Sequence, residues 1–89
     1  MKPSAINPNK DIITRAEGEE AIIYNPTTAQ ILVLNPTGYF IWRLIECSQK
    51  TPEDIARDLS VVFDVDLQTA QKDTGVFLSL LKKNGFILP

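Results

Sequence analysis

Apolar positions along this chain change their spacing once, and the change divides it into two halves. From Asp11 to Leu34 they come in short runs, Ile12-Ile13-Thr14-Arg15, Ala21-Ile22-Ile23-Tyr24 and Gln30-Ile31-Leu32-Val33-Leu34, rich in the β-branched and aromatic residues that favour strands. Turn chemistry separates them: Glu17-Gly18-Glu19 after the first, and Asn25-Pro26-Thr27-Thr28 after the second, where Pro26 fixes its own φ. Loops this short join antiparallel neighbours, so the pattern predicts a three-strand meander.

After Asn35-Pro36 the apolar spacing lengthens to about 3.6 residues. Thr37 is the expected cap of a first helix running from Gly38 to Glu46, apolar almost all round and so expected deep in the core with Trp42 as its largest member. Thr51-Pro52-Glu53-Asp54 announces a second helix, with a cap, a proline at the first helical position and acids where the helix dipole favours them. Its buried stripe reads Ile55, Ala56, Leu59, Val62 and Phe63. A third helix starts with Asp66 as cap and Leu67 after it, carries Lys82 and Lys83 in its last turn, and stops at Asn84-Gly85. The order predicts an α+β, winged-helix-like fold: a three-stranded antiparallel sheet followed by three helices. Residues 1–10, with two prolines and two asparagines, are expected to form a flexible N-terminal arm, leaving 11–89 as a single domain.

Composition narrows the chemistry. A length of 89 residues suits one small domain rather than two and argues against a built-in catalytic site. Histidine is absent and cysteine occurs once, which excludes Ser-His and Cys-His nucleophile pairs, the usual His/Cys zinc sets and a disulfide framework. No cofactor or metal is implied, and the reading is a protein that is not an enzyme. The acidic groupings, Glu17/Glu19/Glu20 and Glu53/Asp54, fall in a turn and at a helix start, where water keeps carboxylates ordinary. Cys47, without a base or cation close in sequence, is expected to serve packing. The four glycines are isolated, so no phosphate loop is present. The aliphatic run from Ile31 to Leu34 is far too short to span a bilayer, which takes about 20 residues, and Met1-Lys2-Pro3-Ser4-Ala5 lacks the apolar segment of a signal peptide. A cytoplasmic protein without membrane contact is expected, and its net charge of −2 argues against nonspecific attraction to nucleic acid.

Two features ask for a reason. Ile31, Leu32, Val33 and Leu34 load both faces of what a meander makes an edge strand, and such an edge invites another strand unless the N-terminal arm or a second subunit covers it. In the third helix, projected at roughly 100° per residue, Leu67, Ala70, Thr74, Phe77, Leu78 and Leu81 form the core face. Thr69, Asp73, Val76, Leu80 and Asn84 fall on a flank. Val76 and Leu80 are surplus to the core, and with Asp73 beside them they suit a groove wall: apolar pockets with one orienting carboxylate. Together the two features fit an extended peptide docking by strand addition. A proline at Leu32 is expected to remove an edge hydrogen bond.

The runs Ile23-Tyr24-Asn25-Pro26, Leu34-Asn35-Pro36-Thr37-Gly38 with Ile41-Trp42, Thr51-Pro52-Glu53-Asp54-Ile55-Ala56, and Asp73, Phe77-Leu78, Leu81 with Asn84-Gly85-Phe86-Ile87 resemble the PqqD-like family, the coenzyme PQQ synthesis protein D type of domain also called the RiPP recognition element. The most specific part is the Leu34-to-Trp42 run. The resemblance implies a noncatalytic peptide chaperone that binds the leader segment of a ribosomally synthesised precursor peptide and presents it to a modifying enzyme, such as a radical SAM protein or a peptidase. It places the peptide along Ala29, Gln30, Ile31, Leu32, Val33 and Leu34 and against Asp73, Val76, Phe77 and Leu80, with Phe77 nearest the core. It leaves the pathway open among PQQ, lasso-peptide, sactipeptide and other natural product biosynthesis. Two other readings compete. A winged-helix DNA-binding regulator would present Gln68, Thr69, Gln71 and Lys72 to base edges, but the helix holds few cations for phosphate. A homodimer would pair through the same edge strand.

Overall fold

Three strands, β1 (Ile13–Glu17), β2 (Glu20–Asn25) and β3 (Gln30–Leu34), form an antiparallel sheet in the order β1-β2-β3 in the computed structural model, which describes residues 6–47 and 50–88. Helices α1 (Pro36–Cys47), α2 (Pro52–Val62) and α3 (Leu67–Lys83) follow, so the α+β order read from the sequence is the order of the fold. One face of the sheet carries Ala21, Ile23 and Leu34 into the core, where they meet Ile41, Trp42 and Ile45 of α1, Ile55 and Leu59 of α2, Leu81 of α3, and Phe86. α1 lies against the sheet and α3 packs on α2.

Trp42 is fully buried and satisfies its one donor: its Nε1 donates to Thr14 Oγ1 at 2.9 Å, and that hydroxyl donates on to Glu46 Oε2 at 3.3 Å. The relay ties α1 to β1. Partial burial raises the Glu46 carboxyl above its ordinary pKa, and the Thr14 hydroxyl offsets part of that rise. Asn25, also buried, joins the β2–β3 turn to the end of α3: its Nδ2 donates to the Gly85 carbonyl at 3.1 Å and its Oδ1 accepts from the Thr27 amide at 3.0 Å. Gly85 closes α3 in the left-handed conformation, φ 77°, as a residue past a helix end should. A β-carbon there would also sit 3.0 Å from Asn25 Nδ2.

Four details differ from the sequence reading. Asn35, not Thr37, caps α1: its Oδ1 accepts from the Gly38 amide at 2.8 Å, and its carbonyl accepts from Tyr39 at 2.8 Å. Proline belongs at the first helical position and holds the residue before it extended, which is the conformation of an N-cap. Val62 and Leu67 are exposed, 60% and 46%, because they flank the α2–α3 corner, where Phe63 turns onto the core against Phe40 instead. Cys47 is exposed; it stands two residues beyond the buried Ile45, about 200° around the helix. The expected arm is docked over its described part. Asn9 donates from its amide to Phe86 O at 3.0 Å and from Nδ2 to Gly85 O at 3.0 Å, Asn7 O accepts from Leu88 at 2.8 Å, Pro8 bridges Ile87, and Ile6 packs on the core. The tail supplies a short strand partner, which outweighs the local preference for disorder. The rest of the expected arm, residues 1–5, lies outside the described residues.

Two stability effects follow. Thr74 is buried at 1% exposure, and its hydroxyl has no hydrogen-bond partner among the described residues. Thr74→Val removes that orphan in nearly the same volume and should add about 1 kcal/mol, read as a rise in Tm of about 4–8 °C.

The second effect concerns acid. Asp54 closes a capping box with Thr51, and Asp66 caps α3 through Thr69. Both carboxyls are held below the ordinary aspartate range, Asp54 chiefly by the Thr51 side chain and then its amide, Asp66 by the same two groups of Thr69. A carboxyl depressed in the folded state binds fewer protons there than in the unfolded chain, so its contribution is present above the unfolded pKa and lost as pH falls through the folded one. Urea midpoints should therefore fall below about pH 4. Asp66→Asn keeps a cap acceptor but cannot titrate, and should flatten that acid limb.

Candidate peptide-binding groove

The register decides which backbone groups of β3 are free. Glu17 and Glu20 pair across the two-residue Gly18-Glu19 turn, and a hairpin of that length closes on a hydrogen-bonded pair. Alternation along β2 then directs the backbones of Ala21, Ile23 and Asn25 toward β3, opposite Leu34, Leu32 and Gln30. The N–H and C=O groups of Ile31 and Val33 are left facing outward along the open edge. Leu32, read from the sequence as an edge position, therefore bonds within the sheet. Ala29 lies in the turn at φ 61° with its amide donated to Asn25 O at 2.7 Å, so the edge begins after it.

Side chains of β3 divide by face. Leu34 is buried and Leu32 half-buried on the helical side, while Ile31 and Val33 are exposed on the other. The alternation was hidden in the sequence because all four are apolar. Across from the edge stands α3, with Asp73, Val76 and Leu80 exposed and Phe77 half-buried. One cleft lies in the space between, and a second adjoins it between the start of α1 and α3. The first, of about 280 Å³, is lined by Glu20, Leu32, Val33, Leu34, Asn35, Gly38, Phe77 and Leu80; the second, of about 230 Å³, is formed by Asn35, Thr37, Gly38, Ile41, Asp73 and Phe77. Phe77 belongs to both, so the residue placed nearest the core in the helical projection is the ridge of the groove floor. Val76 stands outside both linings, on the exposed rim of α3.

Gly38 sets the depth of that floor. A β-carbon on it would meet Asn35 Oδ1 at 3.3 Å and the Phe77 ring at 3.4 Å, so the absence of a side chain lets α1 come under Phe77 while Asn35 caps the helix. Sequence reasoning did not place Asn35, Thr37, Gly38, Ile41 or Glu20 at the groove. The signal was available in Asn35-Pro36-Thr37-Gly38, where a capping asparagine and a glycine one turn later mark a close approach. The groove has two apolar walls and carboxylates at Asp73 and Glu20. Among the described residues, no group of three or more His, Cys, Asp or Glu could hold a metal ion, and no helix is long and apolar enough to cross a membrane. Gln68, Thr69, Gln71 and Lys72 are exposed on α3, yet Asp64, Asp66 and Asp73 surround them and Lys72 is the single cation between Leu67 and Leu81, a poor surface for phosphate.

The chain and its fold have counterparts among known proteins. The family model for coenzyme PQQ synthesis protein D (PqqD) matches residues 20–87. Two solved structures share the fold. TbiB1 in complex with the TbiA(beta) leader peptide superposes with a TM-score of 0.83 at 23% identity, over 91% of this chain and 93% of that one. Lasso peptide synthetase B1 complexed with the leader peptide does so with a TM-score of 0.81 at 23% identity, over 97% and 100%. No curated protein matches the sequence.

Proposed function

Because the chain belongs to the PqqD family, we propose that it is a noncatalytic peptide-binding domain that takes the leader segment of a ribosomally synthesised precursor peptide as a fourth strand and presents it to a modifying enzyme. The observation that carries this reading is the juxtaposition of a β3 edge without a strand partner among the described residues and an apolar groove against α3, in a fold shared with two solved complexes with a leader peptide. The free N–H and C=O groups of Ile31 and Val33 supply sequence-independent affinity. Leu32, Leu34, Phe77 and Leu80 offer pockets to alternate side chains of the added strand, Val76 extends the apolar rim, and Asp73 offers a carboxylate to a donor or cation. The modifying enzyme, a radical SAM protein or a peptidase, does the chemistry, which fits a chain without histidine and with its one cysteine at the surface.

Leu80→Ala tests the groove wall. A fully buried leucine would cost about 2–5 kcal/mol when truncated, but Leu80 is 40% exposed. The variant should melt close to the parent and bind leader peptide several-fold more weakly. A large loss of stability with unchanged affinity would assign Leu80 to the core instead.

A further inference from the structure

We propose that the bound strand is gripped on both faces of the sheet, its outward side chains packing on Ile31 and Val33, so that the recognised segment is apolar at consecutive positions rather than at alternate ones. This rests on the strand-addition reading above and names the class of peptide it selects.

The face of the sheet turned away from the helices carries Arg15, Glu17 and Glu20, but also four exposed aliphatic residues where solvent would favour polar ones. Ile31 and Val33 are 62% and 69% exposed, Ile13 56% and Ile22 37%. The register arranges them in rows: Ile13, Tyr24 and Ile31 lie side by side across the three strands, and Arg15, Ile22 and Val33 form the next row. Both rows run out to the open edge, and the edge strand holds their two most exposed aliphatic members. These are the same two residues whose backbone groups face outward. A peptide residue paired directly opposite Ile31 or Val33 directs its side chain to their face of the sheet, in either strand direction, with β-carbons about 4.5–5.5 Å apart. The added strand therefore extends each row by one position and covers the side chains that the three-stranded sheet leaves bare. Its remaining side chains enter the clefts beside Leu32, Leu34 and Phe77. A polar residue at an outward position would leave Ile31 or Val33 against water on one flank and forgo the cross-strand contact.

The test is selection from a random dodecapeptide library displayed on phage, against the parent protein and an Ile31→Thr/Val33→Thr double variant. Threonine keeps β-propensity at exposed positions, so the fold is retained. The parent should enrich peptides with three or more consecutive aliphatic or aromatic residues. The double variant should lose the apolar preference at one parity and keep it at the other, and serine at the two outward positions of a selected peptide should weaken parent binding about tenfold. Enrichment of strictly alternating apolar and polar peptides, unchanged by the double variant, would overturn the two-faced grip and leave strand addition standing. Peptides whose binding survives Val33→Pro would overturn strand addition itself, and this inference with it.

Discussion

Val33→Pro is expected to weaken leader-peptide binding by roughly 10- to 100-fold or more while the domain stays folded. The Val33 N–H points out of the sheet, so proline removes no internal ladder bond, and an edge strand with that N–H toward solvent is where sheets accept proline. The preceding residue, Leu32, already has the extended conformation proline requires. In the complex the same change leaves a peptide carbonyl without its donor and sets the pyrrolidine ring in the path of the added strand. An unpaired buried acceptor costs about 1–3 kcal/mol, roughly 5- to 150-fold in affinity, and the ring's obstruction adds to it. Leu32→Pro is the contrasting variant: its N–H faces Ile23 inside the sheet, and it should destabilise the free protein. Fluorescence anisotropy with a labelled leader peptide, beside thermal melts of both variants, reads the difference. Loss of folding in Val33→Pro and retention in Leu32→Pro would invert the register argument.

Trp42→Ala should be the most damaging single change to stability. The indole is fully buried at the junction of sheet and helices, and truncation of such a side chain costs about 3–5 kcal/mol. A domain of this size has only about 4–13 kcal/mol to lose, so the variant should be partly unfolded at 37 °C or melt far below the parent. Trp42→Phe separates shape from hydrogen bonding. It keeps a ring in the core but leaves the Thr14 hydroxyl without its 2.9 Å donor, and Thr14 keeps Glu46 as its acceptor, so the cost should be about 1 kcal/mol. Urea denaturation followed by circular dichroism measures both. Equal losses for the two variants would mean that the Thr14 bond, not packing, holds α1 to β1.

The strands and helices were legible because hydrophobic spacing and end signals agree along this chain. Thr51-Pro52-Glu53-Asp54 reads as a cap followed by proline and first-turn acids, and Thr51 is the cap, with Asp54 closing a capping box besides; Asp66 and Gly85 begin and end α3 as expected. Apart from the Asn35 cap, which the following proline marks locally, the failures have a common cause in tertiary context. The periodicity that placed Val62 and Leu67 on a buried stripe has no knowledge of where neighbouring helices stop. Residues 6–10 look like a loose arm until the chain's far end, from Gly85 to Leu88, supplies their partners. At the groove, the flank of Asp73, Val76 and Leu80 was readable from helical projection, whereas the floor was not. Its depth comes from Gly38 passing beneath Phe77, a contact between residues 39 apart in sequence that no local pattern encodes. The free edge groups also required the register, since four consecutive apolar residues conceal which backbone faces which neighbour.

Titration of ¹⁵N-labelled protein with the leader segment of a precursor peptide encoded beside its gene decides whether β3 takes up the added strand. Amide shifts should concentrate in residues 30–35 and on the groove side of α3 from Thr69 to Lys83, with the Ile31 and Val33 amides becoming protected from hydrogen exchange and the Leu32 amide, already paired, changing least in protection. Shifts scattered away from that edge, or Ile31 and Val33 amides exchanging as freely with peptide bound as without it, would contradict strand addition at β3.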